Sequence, residues 1–181
     1  MEGVAVPSRP LAGAVMRRAL APSALTAAAL LLASTAASTP APKTQLVSIY
    51  APRGVTDSCV RVLPLKRRVA APAVLRGAMK ALLVGPTTAE RARGYGGWFS
   101  ATTANHLRSV RIVDGVAYID FRNLAAHIPN ASTSCGSALL LAQLDRTAKQ
   151  FPTVKRTVYS FNGSRHAFYA WLQRETPRAE R

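Results

Sequence analysis

The chain reads as an α+β domain, a two-layer β-α-β-β-α-β sandwich in which two main helices cover one small mixed sheet. Three observations predict it. Asp114-Gly115 lies between two β-prone runs, the strongest short-range hairpin signal. Two segments carry apolar residues at helical spacing, Leu75, Ala78, Met79 and Leu82 in one, Leu140, Leu141, Leu144 and Ala148 in the other. Between the first stripe and the hairpin, Leu82-Leu83-Val84-Gly85-Pro86-Thr87-Thr88-Ala89-Glu90 reads as a helix end, a stop and a new helix start.

In chain order, residues 45–50 alternate and predict a strand, stopped at Ala51-Pro52-Arg53-Gly54. Residues 60–65 continue extended, and Pro64, without an N–H, makes this piece edge or irregular. Lys66-Arg67-Arg68 follows as a basic cluster. Pro72 suits a first helical position, with Arg76 and Lys80 off the apolar stripe. Gly85 suits a left-handed position after the helix, which Pro86 cannot continue. Thr87 then caps a short helix, with Glu90 as its capping-box partner, ending near Gly94. Residues 94–105 are too rich in Gly and Thr for a helix and read as loop. Leu107–Val113 and Val116–Phe121 form the hairpin, and a loop with His127-Ile128-Pro129-Asn130 follows. The second main helix spans residues 137–150 and stops at Phe151-Pro152. Residues 154–161 are the last strand, turned by Asn162-Gly163. Residues 168–172 are apolar and predict a short closing helix. The domain occupies residues 41–175, and 176–181 is a polar tail.

The net charge is +16, from 24 Lys and Arg against 8 Asp and Glu. Only three of the basic residues and one acid precede position 41, so the domain itself carries the imbalance. Such a field attracts polyanions: nucleic acid, anionic lipid or anionic wall polymer. The plain reading is a solvated Arg-rich surface. The N-terminus bears on the choice. Met16-Arg17-Arg18 opens a basic segment, residues 19–33 are apolar, and Ser34-Thr35-Ala36 offers a small-residue cleavage site. Residues 1–40 are therefore read as an export signal starting at Met16, cleaved or kept as an anchor, plus a short linker. No cysteine follows the apolar run, which excludes a lipid anchor there. Export places the protein in the envelope or outside the cell, and allows association with a membrane surface. It also removes nucleic acid as a ligand, and no nucleic-acid-reading motif is present.

Two cysteines, Cys59 and Cys135, allow a disulfide in an oxidising compartment or stand as two buried thiols. His106, His127 and His166 have no metal-binding spacing, so neither metal nor cofactor is expected. Asp120 is the one candidate member of an acid/base pair; the structural alternative has it bonding backbone or pairing with Arg122 or Arg111. No P-loop, Gly-x-Ser-x-Gly or GxGxxG motif occurs.

The candidate binding residues are aromatic and basic. Tyr95, Trp98 and Phe99 sit between Arg91/Arg93 and Arg108/Arg111. Aromatics beside arginines are frequent interface anchors. The competing reading folds Trp98 and Phe99 into the core. Lys66, Arg67 and Arg68 either hold an anionic polymer or form a solvated turn.

The segment ending in Glu90, the run Val113-Asp114-Gly115-Val116-Ala117-Tyr118-Ile119-Asp120-Phe121, and Gly136-Ser137-Ala138-Leu139-Leu140-Leu141 recur in order. Gln150-Phe151-Pro152-Thr153-Val154-Lys155 and Phe161-Asn162-Gly163 follow them. Together they resemble the GerMN domain of sporulation and spore germination proteins, over about residues 45–173. The resemblance implies a ring-building-motif-like fold and a role in envelope assembly or sporulation, without a catalytic site. The chain departs from relatives in tandem or fused to wall-acting modules by holding a single copy. The leading expectation is a non-catalytic, exported scaffold or interaction domain bound to envelope proteins. A binding module for anionic wall polymer or glycan, and a wall-glycan hydrolase using Asp120, are the alternatives.

Overall fold

A computed structural model describes residues 43–54 and 58–177. The export signal expected within residues 1–40 and most of the polar tail lie outside the described residues. The elements are β1 (Thr44–Ala51), β2 (Leu63–Ala70), α1 (Val74–Val84), α2 (Thr88–Ala92), a 3₁₀ turn (Ala101–Thr103), β3 (Leu107–Val113), β4 (Val116–Phe121), α3 (Ser134–Lys149), β5 (Arg156–Phe161) and α4 (Arg165–Trp171).

The α+β class and the strand-helix order agree with expectation, but the strands divide between two sheets. β1 and β2 form an antiparallel pair, while β3-β4-β5 is a mixed sheet with β4 and β5 parallel. The reason lies in α3. Gln143, Thr147 and Gln150 share one face of that helix and bond the edge of β1 that faces away from β2. Gln150 accepts from Ser48 N–H (2.8 Å) and donates to Ser48 C=O (2.7 Å). Thr147 Oγ1 accepts from Tyr50 N–H (3.2 Å), and Gln143 donates to Tyr50 C=O (3.2 Å). Helix side chains thus occupy the edge where a further strand would pair. Ser48 is buried, so Gln150→Leu strands both of its main-chain groups. The expected cost is about 2 kcal/mol, read from the urea midpoint against wild type.

Most local signals act as the sequence predicts. Thr87 and Glu90 form a complete capping box at α2. Asp114 and Asn162 take positive φ, each followed by a positive-φ glycine, and both turns form where expected. The stripes on α1 and α3 are buried, with Leu141 only partly so. Some details differ. Pro72 precedes α1 by two residues and follows a cis peptide, so it is not the first helical residue. Gly85 has φ 77° and ψ −168°, outside the left-handed helical region and in one that only glycine occupies freely. A Cβ there would stand 2.1 Å from Phe99 O. α3 begins three residues early because Thr133 caps it by accepting from Gly136 N–H. The loop of residues 94–105 holds the 3₁₀ turn, and β5 starts two residues late.

One apolar core joins both sheets. Ile49 and Leu65 from the pair meet Met79, Leu82 and Leu83 of α1, Phe121 and Ile119 of β4, and Leu140 and Leu144 of α3. α4 closes it with Phe168, whose ring lies 5.0–6.2 Å from those of Phe161, Tyr159 and Phe121.

Candidate functional site

The basic triplet is split by strand alternation. Lys66-Arg67-Arg68 lies within β2, so the solvated turn is corrected to a strand. Leu65, Arg67 and Val69 face inward, while Lys66 and Arg68 face solvent. Arg67 reaches Glu90 through two bonds, 2.8 and 2.5 Å. Glu90 is buried, and the Arg67 bonds hold its carboxyl down to about 2, burial opposing them. Arg67 is therefore corrected from ligand candidate to structural partner. Lys66 donates to Ser48 Oγ (3.2 Å) and Arg68 is exposed.

The aromatic loop is likewise divided. Phe99 is 3% exposed and belongs to the core, which removes it as a binding residue. Its size and the closed contact at Gly85 explain this: the ring fills space between α1 and the loop. Trp98 is half-buried. Its main-chain N–H donates to Gln143 Oε1 (3.2 Å) and its indole N–H to Gly136 O (3.1 Å), and these two bonds hold the ring against α3. The Cys59–Cys135 disulfide forms beside it, with Cα atoms 5.1 Å apart.

Tyr95 is half-buried, packed on one side against the core, and Arg53, which sequence spacing did not reveal, joins it. Gly54 N–H donates to Gly94 O (2.9 Å) and Gly96 N–H to Pro52 O (3.0 Å), tying the two loops together. Arg53 donates to Arg93 O (3.0 Å). The Arg53 and Arg93 guanidiniums stand 5.5 and 6.0 Å from the Tyr95 ring centre. Cation–π attraction pins them there despite their like charge. Arg91, also exposed, bonds Pro86 O. Residues 52–54 and 91–99 contain no carboxylate. The result is a positive face with a tyrosine at its centre.

Asp120 sits in a second place, a cleft of about 400 Å³ with Ser109, Arg111, Tyr118, Ser160 and Arg165. Its carboxylate accepts from Arg108 (2.7 Å), Ser160 Oγ (2.7 Å) and Gly163 N–H (2.8 Å). The partner is Arg108 rather than Arg111 or Arg122; Arg111 lies over the Tyr118 ring instead, 4.1 Å from its centre. Asp145 similarly accepts from Lys149, Thr157 and Tyr159, and burial pushes the Tyr159 hydroxyl well above its ordinary value. His106 and His127, far apart in sequence, meet edge-on with ring centres 4.5 Å apart. Burial and the neighbouring His127 lower the His106 pKa. Among the described residues no group of three metal-binding side chains forms.

Fold and surface together define a small α+β module with a basic, tyrosine-centred face. The chain belongs to the Germane family, described as sporulation and spore germination, whose sequence model matches residues 48–166. Among solved structures it is similar to the tandem GerMN domains of the sporulation protein GerM from Bacillus subtilis. That likeness has 19% identity and a TM-score of 0.49, covering 67% of this chain and 40% of that one. It is also similar to a chain named "Putative Lipoprotein from Clostridium perfringens", with 18% identity and a TM-score of 0.39, covering 67% of this chain and 76% of that one. This chain thus spans well under half the length of the tandem-domain protein. No curated protein matches it.

Proposed function

We propose that this protein is a non-catalytic, exported interaction domain of the bacterial cell envelope, serving sporulation, germination or wall assembly. Its docking face is Arg53, Arg91 and Arg93 around Tyr95, with the exposed part of Trp98. The observation that carries this reading is the pair of guanidiniums held on Tyr95 by two mutually bonded loops. Tyr, Trp and Arg dominate binding energy at protein interfaces, and pre-ordered side chains lose little entropy on docking. The disulfide supports an oxidising, extracytoplasmic location.

Cross-linking in intact cells, followed by mass spectrometry, tests it. The wild type should capture the same envelope protein reproducibly. The Arg53→Glu/Arg93→Glu double variant should lose that capture at least about tenfold, as expected for hot-spot arginines, with thermal stability unchanged. Capture of no envelope neighbour, or equal capture by the variant, would sink the reading.

A second reading, a binding module for anionic wall polymer or glycan, has its own support. Guanidiniums cover the Tyr95 ring, so the face offers charge more than a free stacking surface. Lys66 and Arg68 add outward charge on β2. Recovery with wall polymer alone, released by salt, would favour it.

A further inference from the structure

We propose that the outer edge of β3 is a docking strand for an extended peptide of a partner protein, one that alternates apolar and acidic residues. This goes beyond the Tyr95 face and uses different residues.

β3 ends the sheet order β3-β4-β5. Its backbone direction follows from the hairpin. Asp114 and Gly115 both take positive φ, 49° and 77°, in a two-residue loop that pairs Val113 with Val116. Such loops make the flanking pair hydrogen-bonded, and antiparallel ladders alternate from there. Arg111 with Tyr118 is then the next bonded pair. The N–H and C=O groups of Val110 and Ile112 point away from β4. Among the described residues no partner takes them. One step along, Arg108 O accepts both Arg76 guanidinium nitrogens (3.3 Å each), which closes that end of the open stretch. The contrast with β1 is direct: α3 side chains fill that edge, and among the described residues nothing comparable fills this one.

The surroundings specify the occupant. A groove of about 400 Å³ is lined by Val74 and Arg76 at the start of α1, by Val110, Arg111 and Ile112 of β3, and by Phe151. Ile112 and Val113 are 41% and 43% exposed, large apolar side chains adjacent on one strand. An added strand alternates its side chains between the two faces of the sheet. One set enters the apolar groove. The other lies beside Arg111, on the face that also carries Arg165. The carboxylate on that face, Asp120, is already taken by Arg108, Ser160 and Gly163, so acidic residues of the peptide complement Arg111 and Arg165. A second copy of the chain fits poorly. Two β3 strands side by side would gather Arg108 and Arg111 from each, and Leu107–Val113 holds no acid to offset them.

The probe is an acetylated, fluorescein-labelled heptapeptide of alternating Glu and Val, with a Lys/Val counterpart, titrated by anisotropy. The Glu/Val peptide should bind saturably, and the Lys/Val one at least tenfold more weakly. In hydrogen exchange the amides of Val110 and Ile112 should gain protection. Ile112→Pro removes an outward-pointing N–H, which an edge strand tolerates, together with an apolar side chain of the groove, and should weaken binding at least tenfold with circular dichroism unchanged. Should that variant not fold, the exchange measurement on the wild type decides. No saturable binding, protection elsewhere, or full binding by a folded Ile112→Pro protein overturns the proposal. A wild-type dimer that Ile112→Pro makes monomeric assigns the edge to a second copy and also overturns it.

Discussion

Replacing Cys59 and Cys135 together by serine should lower stability by about 4 kcal/mol. The bridge closes a sequence separation of 76 residues, which contains β2, α1, α2 and the β3-β4 hairpin. Without it the unfolded chain regains the loop-closure entropy that the bridge withholds. On the native side the bridge fastens the turn at Cys59 to the first turn of α3. That turn also receives the Trp98 indole through Gly136 O. The expected result is a large fall in urea midpoint with a steeper slope, because the unlinked unfolded chain is more expanded, and the same fall on reducing the wild type. Equal midpoints for oxidised and reduced protein would show that the bridge does not constrain the fold.

Arg67→Met should cost about 3 kcal/mol at neutral pH, the lower end of what breaking a buried pair costs. It leaves the Glu90 carboxylate buried with its cap bond but no counter-charge. The pH dependence gives a separate check. Glu90 is held at about 2 in the folded protein, below its ordinary 4.5. A carboxyl depressed on folding stabilises above its unfolded value and loses that contribution as pH falls through the folded one. Wild-type stability should therefore drop between about pH 4.5 and 2. Glu90→Gln should flatten that segment of the curve. An unchanged acid limb in Glu90→Gln would show that the pair does not govern it. Because Thr87 and Glu90 also start α2, the same ion pair holds the helix that leads into the Tyr95 loop, so its loss should also loosen that face.

The sequence was legible wherever a signal is complete within a few residues. The capping box needs only Thr87 and Glu90, the two turns need Asp114-Gly115 and Asn162-Gly163, and the helical stripes need one face. All of these form. At residues 63–70 the informative signal is the period: Leu63, Leu65, Arg67 and Val69 alternate, and as one strand they turn Arg67 inward. The triplet looked like a charge run because its three members are adjacent, while a strand sends neighbours to opposite faces. Phe99 and Trp98 posed a different difficulty. Sequence offered interface and core as rival fates for both, and the buried space beside α1 took Phe99 while a bond to Gly136 O held Trp98 half in.

By itself the sequence determined the α+β class, the element order, the turns, the Thr87/Glu90 cap and membership of the germination-protein family, since each rests on local chemistry or on ordered motifs. Only the tertiary structure decided that the strands form two sheets, that Arg67 belongs to Glu90, that Cys59 meets Cys135, and that Arg53 rather than Phe99 accompanies Tyr95. Those outcomes join residues from 23 to 102 positions apart. They depend on which side chains the fold brings together, and no periodicity along the chain records that.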